Sequence, residues 1–278
     1  MNLAVHRLGH ARVFGAVSVL NATATGIGCS LGIDAMTEAE WAAGPSPPLG
    51  IDARLVQAVE AQMNRVPGWP TGLAPRIRAA FPPARGLKTS SSVAAALLQS
   101  AHEALGQPLP DGELEHAAVD ACLAAGVTIT GAYDDQVAVV RGGAHITDNA
   151  RRLVLRSLSI RPWHVAVWVP DAALPKAALA GAAATTLASQ LQDAVALAAA
   201  GDIPGAMTEN GNVFTAFYQR LGLPVDRRPA QAALRHGALG AGLSGTGPAV
   251  AALFDAPTSL PEVPGGTWRW ARAVEADA

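Results

Sequence analysis

Charge is scarce in this chain of 278 residues: only 15% of them are charged, 5% are aromatic, and lysine occurs at Lys88 and Lys176 alone. Half of the residues are hydrophobic, which excludes a disordered protein and suffices for a sizeable core. The formal net charge is −2 and the sequence has no Lys/Arg cluster. Affinity built on neutralising many phosphates is therefore excluded, and no nucleic-acid partner is expected. Cysteine is limited to Cys29 and Cys122, too few for a disulfide framework and without the C-x-x-C spacing of zinc or redox sites. A reducing, cytoplasmic setting is the expectation. Long apolar runs are missing as well. Met1 to Val13 carries His6, Arg7, His10 and Arg12 and no apolar stretch of export-signal length. The alanine-rich tract from Ala177 to Ala200 is interrupted by Thr185, Thr186, Ser189, Gln190, Gln192 and Asp193, so it reads as one long helix or two shorter ones meeting near Gly181, and no membrane partner is expected. Nothing in the sequence sets an oligomeric state.

What is present is an intermixed series of strand and helix signals. From Asn2 to Asp34, Leu3, Val5, Val13, Val17 and Val19 alternate with glycines that break any helical period, predicting short strands in hairpins. A Pro/Gly-rich connection at residues 44–50 leads to Asp52, an N-cap for a helix through Leu55, Val56, Val59 and Met63 that Pro67-Gly68 ends. Arg76 to Phe81 reads as a strand, Val93 to Leu105 and Asp111 to Ala125 as helices, and Val127 to Thr130 as a strand-like run. In the second half a strand at His164 to Val169 precedes helical tracts around 176–200, 206–221 and 229–239 and an apolar run from Ala249 to Phe254. No repeat of solenoid length and no low-complexity linker divides the chain. The expected architecture is α+β, one compact unit with two lobes.

Three segments carry chemistry. Gly86-Leu-Lys-Thr-Ser-Ser-Ser92 opens a helix with glycine, a lysine and four consecutive hydroxyls. Unpaired N–H groups at a helix start and glycine's close backbone approach suit a phosphate; a helix merely capped by Ser and Thr is the plainer reading. Leu87 before Lys88 excludes a Walker A loop, the spacing from Gly26 to Gly32 excludes a dinucleotide fingerprint, and Thr246 stands where the hydrolase elbow needs its second glycine. His6 and His10 have the i,i+4 spacing of a metal pair, but Gly9 between them breaks the helix such a pair requires. The second segment ends in Asp134-Asp135, whose position suits a base or a Mg²⁺ ligand, or an ordinary turn or helix start. A second glycine-rich loop, Gly240 to Pro248, forms the third.

Taken together, Pro82-x-x-x-Gly86-Leu87-x-x-Ser90-Ser91, Thr130-Gly-Ala-Tyr-Asp134-Asp135 and Gly242-Leu-Ser-Gly-Thr-Gly-Pro248 resemble, in order and spacing, the three signatures of the GHMP kinases, the superfamily of galactokinase, homoserine kinase and mevalonate kinase. Within it they look like the archaeal-type shikimate kinases, as does the opening run from Gly15 to Gly28. The resemblance implies a two-lobed GHMP kinase-like fold, with residues 1–155 as the lobe holding the phosphate loop and 156–278 as the lobe holding the second glycine-rich loop. It implies ATP and Mg²⁺ as cofactors and phosphorylation of a small-molecule hydroxyl, shikimate first, with homoserine or a shikimate-like cyclitol as other acceptors and a non-catalytic binder as the other class. Carried over by residue, Arg85, Gly86, Leu87, Lys88, Thr89, Ser90, Ser91 and Ser92 wrap ATP. Asp134, Asp135 and Lys88 are catalytic, Ser90 and Asp120 hold metal (with Glu115 as the other acidic choice), and Asn21, Thr23, Thr25, Gly245, Thr246 and Gly247 face the acceptor. The resemblance leaves the roles of the two aspartates unseparated.

Overall fold

The computed structural model describes residues 7–44, 50–174 and 184–276. The expected strand positions Leu3 and Val5, the centre of the Pro/Gly connection and residues 175–183 of the alanine-rich region lie outside these.

Two antiparallel sheets organise the chain. The first begins with β1 (Arg7–Leu20) and β2 (Ile27–Ala43), which pair along their lengths with three register shifts. β3 (Leu73–Ala79) pairs with the far half of β2, and β4 (Ala144–Asp148) with its near half; β5 (Leu153–Leu158) then adds to β4. The second sheet runs β7-β8-β6-β9, from β6 (His164–Pro170), β7 (Gly240–Leu243), β8 (Val250–Phe254) and β9 (Gly266–Arg272).

The glycines that suggested short strands have another role in β1. A Cβ on Gly9 would overlap the carbonyl oxygen of Ser100, so glycine lets helix α2 (Thr89–Ala104) lie directly on the strand. β1 and β2 thus run 14 and 17 residues, longer than the glycine content predicts. Alternate side chains of this pair enter two cores. Val13, Ala16, Ala39 and Trp41 pack with α2, with α1 (Ala53–Met63) and with α3 (Asp111–Ala124), whereas Val17, Val19, Leu31 and Ile33 pack toward the second sheet, with Val165, Val167 and Leu253. Helix α2 is buried from Val93 to Leu98, its alanines admitting neighbours on every side. Trp41 is fully inside because its indole N–H donates to the Leu97 carbonyl at 3.0 Å, leaving no polar atom unpaired.

Asp52 caps α1 as expected, accepting from the Arg54 amide. Three readings change. The strand expected at Arg76 to Phe81 starts earlier, at Leu73. Val127 to Thr130 forms no strand; the chain there is irregular and leads into α4 (Tyr133–Arg141). The described part of the alanine-rich region begins as a 3₁₀ helix (Ala184–Leu191) and continues as α5 (Gln192–Ala200). α6 (Ile203–Arg220) and α7 (Arg228–Arg235) complete the second half. Among the described residues no helix is long and apolar enough to cross a membrane.

Candidate active site

The start of α2 is shaped by backbone constraints. Ala84, Gly86 and Lys88 all take positive φ, and a Cβ on Gly86 would overlap the Ser244 carbonyl oxygen, so the turn accepts only glycine there. Leu87 is buried and anchors the loop from within. Lys88, the helix's N-terminal flank, is left-handed at φ 58° and no side chain caps the helix. The first-turn N–H groups are therefore left for an external acceptor.

Those groups open onto a cavity of about 770 Å³ lined by both halves of the chain. Gly86, Leu87, Lys88, Thr89, Ser90 and Ser91 form one wall. Three residues expected in the phosphate loop spend their side-chain polar atoms elsewhere. The Arg85 guanidinium donates to the carbonyls of Pro170 and Asp171 at 2.8 and 2.7 Å, tying the loop to the end of β6. The Ser92 hydroxyl lies against Thr37 at 2.9 Å and the Thr89 carbonyl, inside the core. Thr89 lines the cavity, yet its hydroxyl points back to the carbonyls of Phe81 and Pro82.

The acidic pair stands in the first turn of α4, not at the end of a strand as its sequence surroundings suggest. Both aspartates are buried, 4% and 8% exposed, and both line the cavity. Their partners differ. Asp135 Oδ1 receives Lys88 Nζ at 2.7 Å and the Ser30 hydroxyl at 2.8 Å. Asp134 is held by neutral groups: Asn149 Nδ2 donates to its Oδ1 at 2.7 Å, and Ser30 Oγ lies 3.0 Å from its Oδ2. Burial first, and the Asp135 charge second, push the Asp134 carboxyl up to about 7, against the opposing effects of Lys88, Asn149 and Ser30. Gly28 leaves it room, since a Cβ there would lie 2.6 Å from Asp134 Cγ. Cys29, beside the pair, is buried and its thiol is pushed far up, so it stays protonated.

The second glycine-rich loop closes the opposite wall. Ser244 Oγ donates to the Gly86 carbonyl at 2.9 Å and accepts the Ser18 amide, while the Gly245 amide donates to Ser18 Oγ at 2.8 Å. Asn21 Nδ2 donates to the Gly245 carbonyl, and Asn21 Oδ1 receives both the amide and the hydroxyl of Thr23. Asn21, Thr23, Gly245, Thr246 and Tyr218 of α6 line this end. Thr25 does not share it; its hydroxyl closes the turn into β2 by bonding Ile27. Gly247 packs on Leu243, its amide bound to the Ser244 carbonyl.

The expected metal pair is not brought together. Ser90 lines the cavity, but the Asp120 side chain is 57% exposed and bound to Arg152 at 2.7 Å. Glu115 is fully buried, gripped by Arg141 and by the Tyr133 hydroxyl. Both acids lie on α3, where helical phase sends one outward to solvent and the other inward to α4. Among the described residues no three His, Cys, Asp or Glu side chains form a metal cluster. Ser30, Asn149 and Tyr218, by contrast, were not foreseen, because strand register and helix packing bring them in and no local motif marks them.

Comparison with known proteins bears on the family and the fold. Residues 53–143 match the family model of the GHMP kinases N terminal domain, and residues 188–263 that of the GHMP kinases C terminal. Among similar curated proteins, the shikimate kinase of Thermococcus kodakarensis is 37% identical over 256 residues, 89% of this chain and 92% of its own. That of Pyrococcus furiosus is 35% identical over 263 residues, covering 91% and 93%. Among solved structures, an L. major mevalonate kinase in complex with R-mevalonate superposes with a TM-score of 0.69 over 97% of both chains, and a homoserine kinase from Cytophaga hutchinsonii with 0.66 over 88% and 85%. Both are 18% identical, a likeness of fold. The two family models fall on either side of the shared cavity, and the full-length relatives agree with them: this chain belongs to the GHMP kinase family.

Proposed function

We propose that this chain transfers the terminal phosphoryl group of ATP to a hydroxyl of shikimate, giving shikimate 3-phosphate. The observation that carries the reading is the meeting, in one cavity, of an uncapped helix start and a buried aspartate with neutral partners. The cradle at Gly86 and the open first turn of α2 fit a polyphosphate, and positioning with fixed dipoles is most of what phosphoryl transfer asks of a protein. Asp134 is the base: as the acceptor oxygen bonds to the γ-phosphorus and the bridging oxygen departs with ADP, the acceptor's proton passes to the Asp134 carboxylate. Asp135 holds Lys88, whose ammonium lies near Gly245 as a point charge at the cavity. Mg²⁺ bound with the nucleotide would screen its phosphate charge. It takes few protein ligands, and Ser90 is the hydroxyl of the expected pair that the cavity offers. Arg85, Ser92, Thr25, Gly247 and Asp120 drop out of the direct contacts.

The acceptor end, Asn21, Thr23, Tyr218, Gly245 and Thr246, offers hydroxyls and amides to an acceptor that bears several hydroxyls, as the shikimate ring does. Similarity to curated shikimate kinases at 33–37% identity supports the same choice. In this reading residues 1–155 and 156–278 act as two lobes of one unit, in the cytoplasm, where the reduced thiols of Cys29 and Cys122 are stable. A coupled assay of ADP release with shikimate, homoserine and a set of cyclitols tests it. Release with shikimate and ATP, and far less with homoserine, is expected; release with none of them overturns the kinase reading, and preference for another alcohol overturns the acceptor.

A further inference from the structure

The two carboxylates of α4 rest on neutral polar groups supplied by the first sheet. β2 contributes Gly28 and Ser30 from one face, and register places Thr147 of β4 opposite Gly28, with Asn149 just beyond the strand. Asn149 is 3% exposed, and its main-chain amide donates to the Gly26 carbonyl at 3.0 Å. Its side chain grips Asp134 twice. Oδ1 accepts the Asp134 amide at 3.1 Å, and Nδ2 donates to the Asp134 carboxylate at 2.7 Å. The orientation of the side-chain amide is fixed by this double contact, because only oxygen accepts a main-chain N–H and only nitrogen donates to a carboxylate. The Thr147 hydroxyl, donating to Oδ1 at 2.7 Å, tethers the group from behind.

We propose that Asn149 is a positioning residue for phosphoryl transfer, acting through Asp134: it fixes the rotation of the carboxylate and favours its ionised form, so that Asp134 is poised to take the acceptor's proton. The proposal rests on Asp134 being the base. A donor to the charged form of a buried acid favours that form, and a neutral donor does so without cancelling the acid's charge. The charged groups facing Asp134 are Asp135 on its own helix and Lys88 from the start of α2, and the titratable thiol of Cys29 lies nearby on the other face of β2. Lys88 is bound to Asp135. From β4 and the turn after it the facing groups are Thr147 and Asn149, both neutral. The direct donors to Asp134 are therefore Ser30, which it shares with Asp135, and Asn149, which it does not.

The test is the pH profile of kcat in the full-length enzyme, with KM for ATP and acceptor and a thermal melt for each variant. Asn149→Ala is expected to lower kcat about tenfold or more, to move the acid limb of the profile to higher pH, and to leave both KM values within about twofold. Asn149→Asp moves the limb further, since a second carboxylate then confronts Asp134. Thr147→Val, which removes the tether and a 3.4 Å contact to the Gly28 carbonyl, moves it the same way by less. A folded Asn149→Ala with wild-type kcat and an unmoved limb overturns the proposal, as does an unmoved limb in Thr147→Val if Asn149→Ala does not fold. Asp134→Asn separates the two assignments. Wild-type turnover in that variant removes the base itself, whereas its loss together with an unmoved limb in Asn149→Ala removes the positioning role alone.

Discussion

α2 and α4 both begin next to a non-glycine residue in the left-handed region, Lys88 at φ 58° and Ala132 at φ 51°, and neither of these two residues caps its own helix, although Asn149 Oδ1 accepts the Asp134 amide in α4. Both starts line the same cavity. In α2 the first turn carries Thr89, Ser90, Ser91 and Ser92 and no acid, so its amides and positive dipole end face outward unsatisfied. In α4 the first turn carries Asp134 and Asp135, and the dipole is answered by the helix's own carboxylates. One backbone device thus gives an open anion site in one place and a fixed pair of buried acids in the other. A left-handed residue of this kind costs about 1–2 kcal/mol, and both starts carry that cost where they border the cavity.

The contrast breaks most directly at the acids. Asp134→Asn is expected to lower turnover by about 10²-fold or more while nucleotide titrations stay near wild type; if Asp134→Asn and Asp135→Asn both turn over normally, the two starts do not differ in chemistry. On the other side, Gly86→Ala forces a methyl into the Ser244 carbonyl and an L-residue into φ 82°. A loss of about 1–3 kcal/mol in urea unfolding, with weaker nucleotide binding, is expected. Gly28→Ala crowds Asp134 from β2, and a fall in kcat of about tenfold with unchanged nucleotide affinity should follow. The pH dependence of stability is a fourth test. Because the Asp134 carboxyl is raised to about 7 in the fold, its contribution is fully present below the ordinary carboxylate value and is lost as pH rises from there through about 7. Urea midpoints at about pH 5 and pH 8 should therefore fall further in wild type than in Asp134→Asn. Smallest is Ala132→Gly, which relieves the left-handed start of α4 and should gain less than about 1 kcal/mol in a thermal melt. Lys88→Gly should gain nothing, because it also removes the ion pair to Asp135.

Much of the site was legible where chemistry is local. Gly86 to Ser91, Asp134, Asp135, Asn21 and Thr246 sit in short segments whose residue types declare a turn, a helix start or a polar wall, and all of them line the cavity. The readings that failed depended on phase or on distant partners. Asp120 and Glu115 differ by five positions on one helix, and only the packing of α4 decides that Glu115 turns inward. Val127 to Thr130 is apolar because Val127 packs into the core and Ile129 borders the cavity, not because it is a strand. Ser92 and Thr89 carry hydroxyls as Ser90 does; the Ser92 hydroxyl meets Thr37 of β2, 55 residues away in sequence, and the Thr89 hydroxyl turns back to the Phe81 carbonyl, a direction that residue type alone does not declare. Asn149 was unreadable for the same reason, since its partner lies fifteen residues away on another element.

The Ser18, Gly86, Ser244 and Gly245 bonds join positions more than 150 residues apart, the Ser244–Gly86 separation being 158. A ribosome that has released only the first sheet and its helices has supplied the residues of the anion-binding turn, but the brace behind it has yet to be translated. During synthesis the nascent chain therefore holds a half-built phosphate grip, and nucleotide capture should become competent only as the last quarter of the polypeptide clears the exit tunnel.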